Sequence, residues 1–258
     1  MNNKVEKYIL KKIEEDGSIH MTLIDPEKTD IKSCAEIAYS AEVAGSSAIM
    51  VGGSTLASQN LLDEAINSIK SRVSIPVILF PNNLSGVSRY ADAIWFMSLL
   101  NSSNTYYIID AQALAAPLIK QYKIEALPMG YIIVGDGGAA GYIGHARPIP
   151  YNHPEIALCY ALAAETLGMR FVYLEGGSGA IKPIPPEMIR VVKSHLQIPL
   201  IVGGGIKDGI SAGRAAEAGA DIIVTGTMIE MERDEVVEKI REIIKNIKRE
   251  VKKRDDKL

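Results

Sequence analysis

The chain has 258 residues, of which 47% are hydrophobic and 23% charged, and its formal net charge is -3. This composition is typical of a soluble globular protein, and the length suits one closed α/β barrel, which commonly takes about 250 residues. The small negative charge offers no general attraction to nucleic acid, so a nucleic-acid-binding protein is not supported. We expect a single domain over residues 1–258.

The amino terminus and the two cysteines indicate a cytoplasmic protein. Residues 1–12 mix charges with apolar residues at helical spacing, whereas a signal peptide needs an uninterrupted apolar stretch. Cys34 and Cys159 form no CxxC pair and have no histidine cluster beside them, so neither a zinc site nor a disulfide framework is expected. Turn residues interrupt the long uncharged stretch from 43 to 62, which argues against a transmembrane segment.

Eight short apolar runs, each followed by a turn, predict eight strands. The runs lack polar alternation, as expected for parallel strands that are covered on both faces. Helix-length segments between most of them supply the crossovers that parallel strands need. The predicted strands are Ile19–Ile24, Ala48–Val51, Val77–Phe80, Ile94–Met97, Tyr131–Val134, Phe171–Leu174, Leu200–Val202 and Ile222–Val224.

The intervening segments predict helices, and the last of them is strongly amphipathic. Its apolar residues recur at steps of three and four from Val236 to Val251, opposite a charged face. The basic end of this helix could make transient contact with an anionic membrane surface, although acidic residues are interleaved. The predicted helices are Ile31–Ala44, Ala57–Arg72, Tyr106–Tyr122, Pro154–Leu167, Pro186–Leu196, Gly209–Ala218 and a segment from Asp234 onward.

One interval departs from a regular (βα)8 pattern. Only residues 82–91 separate the third strand from the fourth, which is too short for a full crossover helix. We therefore predict a modified TIM barrel in which an irregular segment replaces the third helix. The Gly- and Pro-rich segment from Gly135 to Tyr151 is interpreted as a loop or lid.

Three glycine-rich turns follow the last three predicted strands and indicate a phosphate site. Glycine lets backbone N–H groups approach an anion closely, and the last two strands of such barrels often end in a phosphate cradle. Each turn alone could be a tight connection only, but three together favour binding. The candidate ligand contacts are Gly176, Gly177, Ser178, Gly179, Gly204, Gly205, Gly226 and Thr227.

Tyr173 and Glu175 lie two residues apart on one strand and so point to the same side, where both are candidate contacts of one ligand. A carboxylate is poorly suited to bind phosphate, but it can accept a hydrogen bond or a proton from a hydroxyl group. Glu175 therefore indicates a hydroxylated phosphate ester, while a salt bridge at the barrel rim is the structural alternative.

Oxygen-bearing side chains also follow the first two strands. Asp25 and Ser54 could hold Mg²⁺, which typically takes one or two protein oxygens, several waters and substrate phosphates. The alternative is that Asp25 caps a turn and Ser54 caps the next helix. The four histidines have no ligand spacing, and His20 is interpreted as a wall residue with its hydrogen bonds satisfied.

Six motifs lie along nearly the whole chain: Leu23–Lys28, Val51–Ser54, Phe96–Ser102, Tyr173–Gly179, Val202–Ile206 and Val224–Thr227. Together they resemble those of the geranylgeranylglyceryl phosphate synthase family, a group of barrel prenyltransferases. The resemblance implies that sn-glycerol 1-phosphate binds the three late turns and that Asp25 and Ser54 hold Mg²⁺. It also agrees with a missing third helix.

The resemblance further implies geranylgeranyl diphosphate as the second substrate, with its tail in an apolar groove that leads away from the polar mouth. Asp25 and Glu175 would then be the catalytic side chains of this transfer, which is a step of archaeal ether-lipid synthesis. The resemblance also implies that the protein is a homo-oligomer. The tail length and the number of subunits are left open. The alternatives are a phosphosugar isomerase or lyase of the same barrel class and a non-catalytic sensor of a phosphate ligand.

Overall fold

The computed structural model describes residues 3–177, 179–226 and 233–256. Eight parallel strands pair in sequence order, and β8 pairs with β1 to close the barrel. The predicted (βα)8 class is therefore confirmed. The strands are β1 (Ile19–Ile24), β2 (Ala48–Val51), β3 (Val77–Leu79), β4 (Ala93–Leu99), β5 (Glu125–Ile133), β6 (Phe171–Glu175), β7 (Leu200–Gly203) and β8 (Ile222–Thr225).

Helices surround this barrel, and their boundaries agree with the predicted ones to within a few residues except where noted below. The α-helices are α1 (Lys4–Asp16), α2 (Ile31–Ala44), α3 (Gln59–Lys70), α4 (Ala111–Tyr122), α5 (Gly138–Ile143), α6 (Pro154–Thr166), α7 (Pro186–Lys193), α8 (Gly209–Glu217) and α9 (Arg233–Asp255). A π-helical turn, Tyr106–Asp110, precedes α4 within the segment that was predicted as one continuous helix.

The predicted absence of the third crossover helix is confirmed. A single 3₁₀ turn, Leu84–Gly86, occupies the connection between β3 and β4. The side-chain amide of Asn82 donates to the carbonyls of Ser54 and Leu56, at 3.1 Å each, and so fixes this connection to the loop after β2. The barrel wall is consequently thinner here than where a full helix covers the strands.

Three elements were missed or shortened by sequence reasoning. Helix α1 lies under the barrel, where its side chains Val5 and Ile9 join the interior cluster. The helix is held by Glu125, whose carboxylate accepts hydrogen bonds from the N–H groups of Val5 and Glu6, at 2.9 Å each. Strand β5 begins at Glu125, where it pairs with Ala93 of β4, six residues before its predicted start. The short helix α5 lies inside the segment predicted as a loop.

Side chains alternate between the inside of the barrel and the layer beneath the helices. Trp95, Phe171 and Tyr173 belong to the interior cluster, whereas Leu174 and Val202 pack under the helices. The inside is thus a packed core in its lower part. The polar and catalytic candidates are confined to the carboxyl ends of the strands.

Candidate active site

A cavity of about 470 Å³ lies at the carboxyl ends of the strands. Its volume is within the range of about 300–1,000 Å³ that is usual for small-molecule sites. Asp25 and Ser54 line it from one side, and Glu175 and Gly204 line it from the other. The structure therefore brings the two predicted halves of the site to a single cavity.

Most of the other predicted contact residues also line this cavity. They are Tyr173, Gly177, Gly179, Gly205 and Gly226. The predicted contacts from Ser178 and Thr227 lie outside the described residues.

Gly176 is placed differently from its neighbours in the same turn. Its N–H donates to the carbonyl of Gly203 at 3.0 Å, as a continuation of the pairing between β6 and β7. A contact from Gly176 to a ligand would therefore need another atom.

Glu175 ends β6 with its side chain in the cavity wall and only 6% of the residue exposed. Its Oε1 accepts a hydrogen bond from the N–H of Gly177 at 2.6 Å. Burial raises the pKa of Glu175 above its ordinary value, while hydrogen bonds from Gly177, Tyr173 and Tyr131 oppose that rise. The carboxylate is therefore a stronger base than an exposed glutamate.

The partners of Glu175 in the described part of the chain are hydrogen-bond donors rather than a lysine or arginine. The rim salt bridge considered from the sequence does not form there.

Tyr131 was missed as a site residue. It pairs in register with Tyr173 across β5 and β6, and the two ring centroids are 5.3 Å apart. Burial raises the pKa of both phenols well above 10, so both are protonated donors at neutral pH. The sequence did offer a signal, because Tyr131 and Ile133 are two residues apart on one strand and so share its inward face. A tyrosine within an apolar run is, however, usually interpreted as part of the core.

The glycine turns after β6 and β7 are in close contact with neighbouring atoms of the site. Gly204 has φ +81°, and a Cβ there would strike Glu175 Oε1 and the amide nitrogen of Gly177. Gly177 has φ +102°, and a Cβ there would strike the backbone of Gly137 and Gly138. Close approach as well as backbone conformation therefore requires glycine at these two positions.

Asp25 lies across the cavity, 5% exposed. Its Oδ1 accepts from the N–H of Glu27 at 3.1 Å, and its Oδ2 pairs with Nζ of Lys28 at 2.9 Å. Asp25 thus caps the turn, as one interpretation of the sequence held, and also faces the cavity. Lys28 lines the same cavity and was not singled out from the sequence.

The helix-capping alternative for Ser54 is wrong. Helix α3 begins later, and Ser58 is its N-cap, with Oγ accepting from the N–H of Leu61 at 3.3 Å. The hydroxyl of Ser54 is therefore not required for that cap. Within the described residues, no group of three or more His, Cys, Asp or Glu side chains is placed to hold a metal ion.

His20 is the satisfied wall residue that was predicted. Its ring nitrogens lie 2.7 Å from Ser46 Oγ and 2.8 Å from Thr225 Oγ1. Burial lowers the pKa of His20 to about 3, so the imidazole is neutral at ordinary pH.

The cavity continues from its polar mouth into an apolar arm. The arm lies between the ends of β3 and β4, the π-helical turn, α4 and α5. This is the side on which the third crossover helix is missing. Its lining side chains include Val87, Ile94, Phe96, Met97, Leu99, Ala111, Ala115, Ile119, Ala140 and Ile143.

Searching the described residues for a helix long and apolar enough to span a bilayer finds none. The closed parallel barrel and the two-part cavity define an α/β-barrel protein with a polar ligand end joined to an apolar arm.

Comparison with known proteins then gives the family. Residues 10–246 match the PcrB family. The chain is 52% identical over 245 residues to geranylgeranylglyceryl phosphate synthase of Thermofilum pendens, covering 95% of each chain. It is 53% identical to the enzyme of the same name from Pyrococcus horikoshii, covering 94% of this chain and 96% of the relative. The chain therefore belongs to the PcrB family, and the predicted resemblance is confirmed.

A solved structure agrees with this assignment. The crystal structure of (S)-3-O-geranylgeranylglyceryl phosphate synthase from Thermoplasma acidophilum, in complex with its substrate sn-glycerol-1-phosphate, superposes with a TM-score of 0.90. It is 43% identical in sequence, and the match covers 96% of this chain and 100% of the other.

Proposed function

We propose that this protein transfers a geranylgeranyl group from geranylgeranyl diphosphate to the 3-hydroxyl of sn-glycerol 1-phosphate. The products are 3-O-geranylgeranyl-sn-glycerol 1-phosphate and diphosphate. The observation that carries the proposal is a single cavity with a buried base beside glycine turns, acidic and hydroxyl ligands opposite them, and an apolar arm. Close similarity to synthases of this name supports it.

The glycine side of the cavity is assigned to the glycerol phosphate. Backbone N–H groups of the turns at Gly204, Gly205 and Gly226 would hold the phosphate, and Gly179 with the predicted Ser178 and Thr227 would complete the cradle. The hydroxyl group of the glycerol would then face Glu175. As the new bond forms between this oxygen and the allylic C1, the hydroxyl proton passes to the Glu175 carboxylate, and the bond from C1 to diphosphate breaks.

The opposite side is assigned to the diphosphate and Mg²⁺. The Asp25 carboxylate and the Ser54 hydroxyl are oxygen ligands at the ends of adjacent strands, and they suit a hard cation that keeps several waters. Bound Mg²⁺ would neutralise charge on the leaving diphosphate. Lys28 would add a second positive charge beside it, and the prenyl tail would lie in the apolar arm.

Under this proposal the protein acts in the cytoplasm, as a single-domain homo-oligomer of archaeal ether-lipid synthesis. Exposed apolar side chains such as Tyr142, which is 88% exposed, support contact between copies or with another surface. Transient contact of the basic end of α9 with a membrane surface is part of this proposal.

The test is a transfer assay with purified protein. Labelled sn-glycerol 1-phosphate is mixed with C15, C20 or C35 prenyl diphosphate, with Mg²⁺ or with EDTA, and both the lipid product and diphosphate are measured. Mg²⁺-dependent product with the C20 donor is expected. Turnover of aminosugar phosphates instead, or binding of glycerol phosphate without any transfer, would reject the proposal.

A further inference from the structure

Tyr131 lies between the aromatic side chains inside the barrel and the carboxylate of Glu175. The residue is 6% exposed and lines the cavity beside Glu175. Its ring packs edge-on against Phe80, with centroids 5.7 Å apart, and against Tyr173 at 5.3 Å. These contacts fix the ring plane and therefore the direction of the phenol oxygen.

Strand register brings this phenol to the carboxylate. Tyr131 lies opposite Tyr173, and Glu175 is two residues farther along β6 on the same inward face. Diagonal neighbours on adjacent strands are within reach of long side chains. Both phenols are near enough to Glu175 to act on its carboxylate as donors that lower its pKa.

The hydrogen bonds of Glu175 then leave room for one more donor. A carboxylate offers about four acceptor positions. The Gly177 N–H occupies one of them at 2.6 Å, and the phenols of Tyr173 and Tyr131 are two further donors beside the carboxylate. The remaining position is available to a donor in the cavity, which is where the proposed glycerol hydroxyl would bind.

We propose that Tyr131 is a positioning residue that orients the Glu175 carboxylate, so that an open acceptor position faces the substrate hydroxyl. This inference deepens the proposed function and rests on it for the identity of that hydroxyl. The placement of the three side chains does not depend on the substrate.

The groups around Glu175 determine how its pKa should respond to the loss of one phenol. The groups that set the pKa of Glu175, besides its burial, are the Gly177 amide and the two phenols. Other titratable groups on the cavity wall are Asp25 and Lys28 beyond β1, Tyr107 in the π-helical turn and Lys207 beyond β7. Removing one phenol therefore removes a donor that favours the carboxylate, and the pKa of Glu175 should rise.

The variant that tests this is Tyr131→Phe, because it keeps the ring and its packing. Loss of a hydrogen bond to a charged group predicts a fall in kcat of about tenfold or more, with KM for glycerol phosphate within about twofold. The acid limb of the pH profile should move to higher pH, because a base acts only when it is deprotonated. Tyr160→Phe is the matched control, since its hydroxyl contacts Arg147 instead.

A second readout separates this inference from the proposed function. Infrared difference spectra follow the protonated carboxyl band of Glu175, which is assigned by its loss in Glu175→Gln. In Tyr131→Phe the band should persist to higher pH than in the wild type, whether or not transfer occurs. An unmoved band, or a rise in KM at constant kcat, would overturn the positioning role. A wild type without transfer activity would reject the function and leave the spectroscopic result standing.

Discussion

The two sides of the cavity are built in different ways. The side formed by the ends of β5 to β8 is made largely of backbone in close contact, with Gly177 and Gly204 at points where a Cβ would collide. The side formed by β1 to β4 presents side chains, including Asp25 and Lys28, and opens into the apolar arm where a helix is missing. The first side suits a small ligand of fixed shape. On the second side, the side chains that line the arm can differ according to the length of the prenyl tail.

The largest effect is expected on the side-chain half of the site, from Asp25→Ala. Removing the carboxylate should abolish Mg²⁺-dependent transfer, because Ser54 alone is a weak ligand. Binding of glycerol phosphate, measured by calorimetry, should be retained because it uses the opposite wall. Transfer that persisted in the variant would show that Asp25 does not hold the metal.

Glu175→Gln should have the next largest effect. The amide cannot take the hydroxyl proton, and general-base catalysis typically contributes about 10²–10⁴-fold to kcat. The isosteric change should leave the dissociation constant for glycerol phosphate nearly unchanged. Equal turnover in the variant and the wild type would remove the assignment of Glu175 as base.

The backbone half is tested by Gly204→Ala, with Gly168→Ala as its matched control. Both glycines have φ near +80°, but a Cβ at Gly168 meets nothing within 4 Å. Backbone strain of about 1 kcal/mol or more should therefore appear in both melting temperatures. Only Gly204→Ala should weaken glycerol phosphate binding in calorimetry. Equal binding losses in the two variants would mean that close packing at the turn is unimportant.

The apolar arm is tested by Ala115→Val, which adds volume to a cavity-lining position on α4. We expect KM for the C20 donor to rise by about tenfold or more, since one or two methylenes in a pocket are worth about 1–3 kcal/mol. KM for glycerol phosphate should not change. Leu114→Ala, on the exposed face of the same helix, is the control. A change that followed glycerol phosphate instead would place the tail elsewhere.

The smallest effect concerns stability and pH. The pKa of His20 is about 3 in the folded protein and about 6.5 in an unfolded chain, so the unfolded state takes up the proton first as pH falls. The contribution of neutral His20 is therefore present above pH 6.5 and lost progressively between pH 6.5 and 3. Urea unfolding from pH 7 to 4 should show a shallower decline in His20→Gln than in the wild type.

The exposed His195, two residues after the end of α7, provides the control for that measurement. His195→Gln should follow the wild-type decline with pH, because His195 lies at the surface. If His20→Gln also followed it, another group would be responsible for the loss of stability in acid.

Much of the barrel was predictable because each strand is a short apolar run with a turn after it. Strands β1 and β2 and helix α2 were predicted to the residue. Strand β5 was shortened because Pro128 and Gly130 lower its strand signal, while pairing to β4 and β6 stabilises it. Helix α1 was missed although residues 1–12 have apolar residues at helical spacing, and its contact with Glu125 was not predictable because that residue is distant in sequence.

The sequence by itself determined the order of strands and helices, the missing third helix and the residue types at the strand ends, because these follow from local periodicity and spacing. Only the tertiary structure decided that Tyr131 reaches Glu175, that Lys28 pairs with Asp25 and that the amide of Gly176 belongs to the sheet. Those facts depend on strand register and burial. Both arise when the barrel closes and brings together residues that lie far apart in the chain.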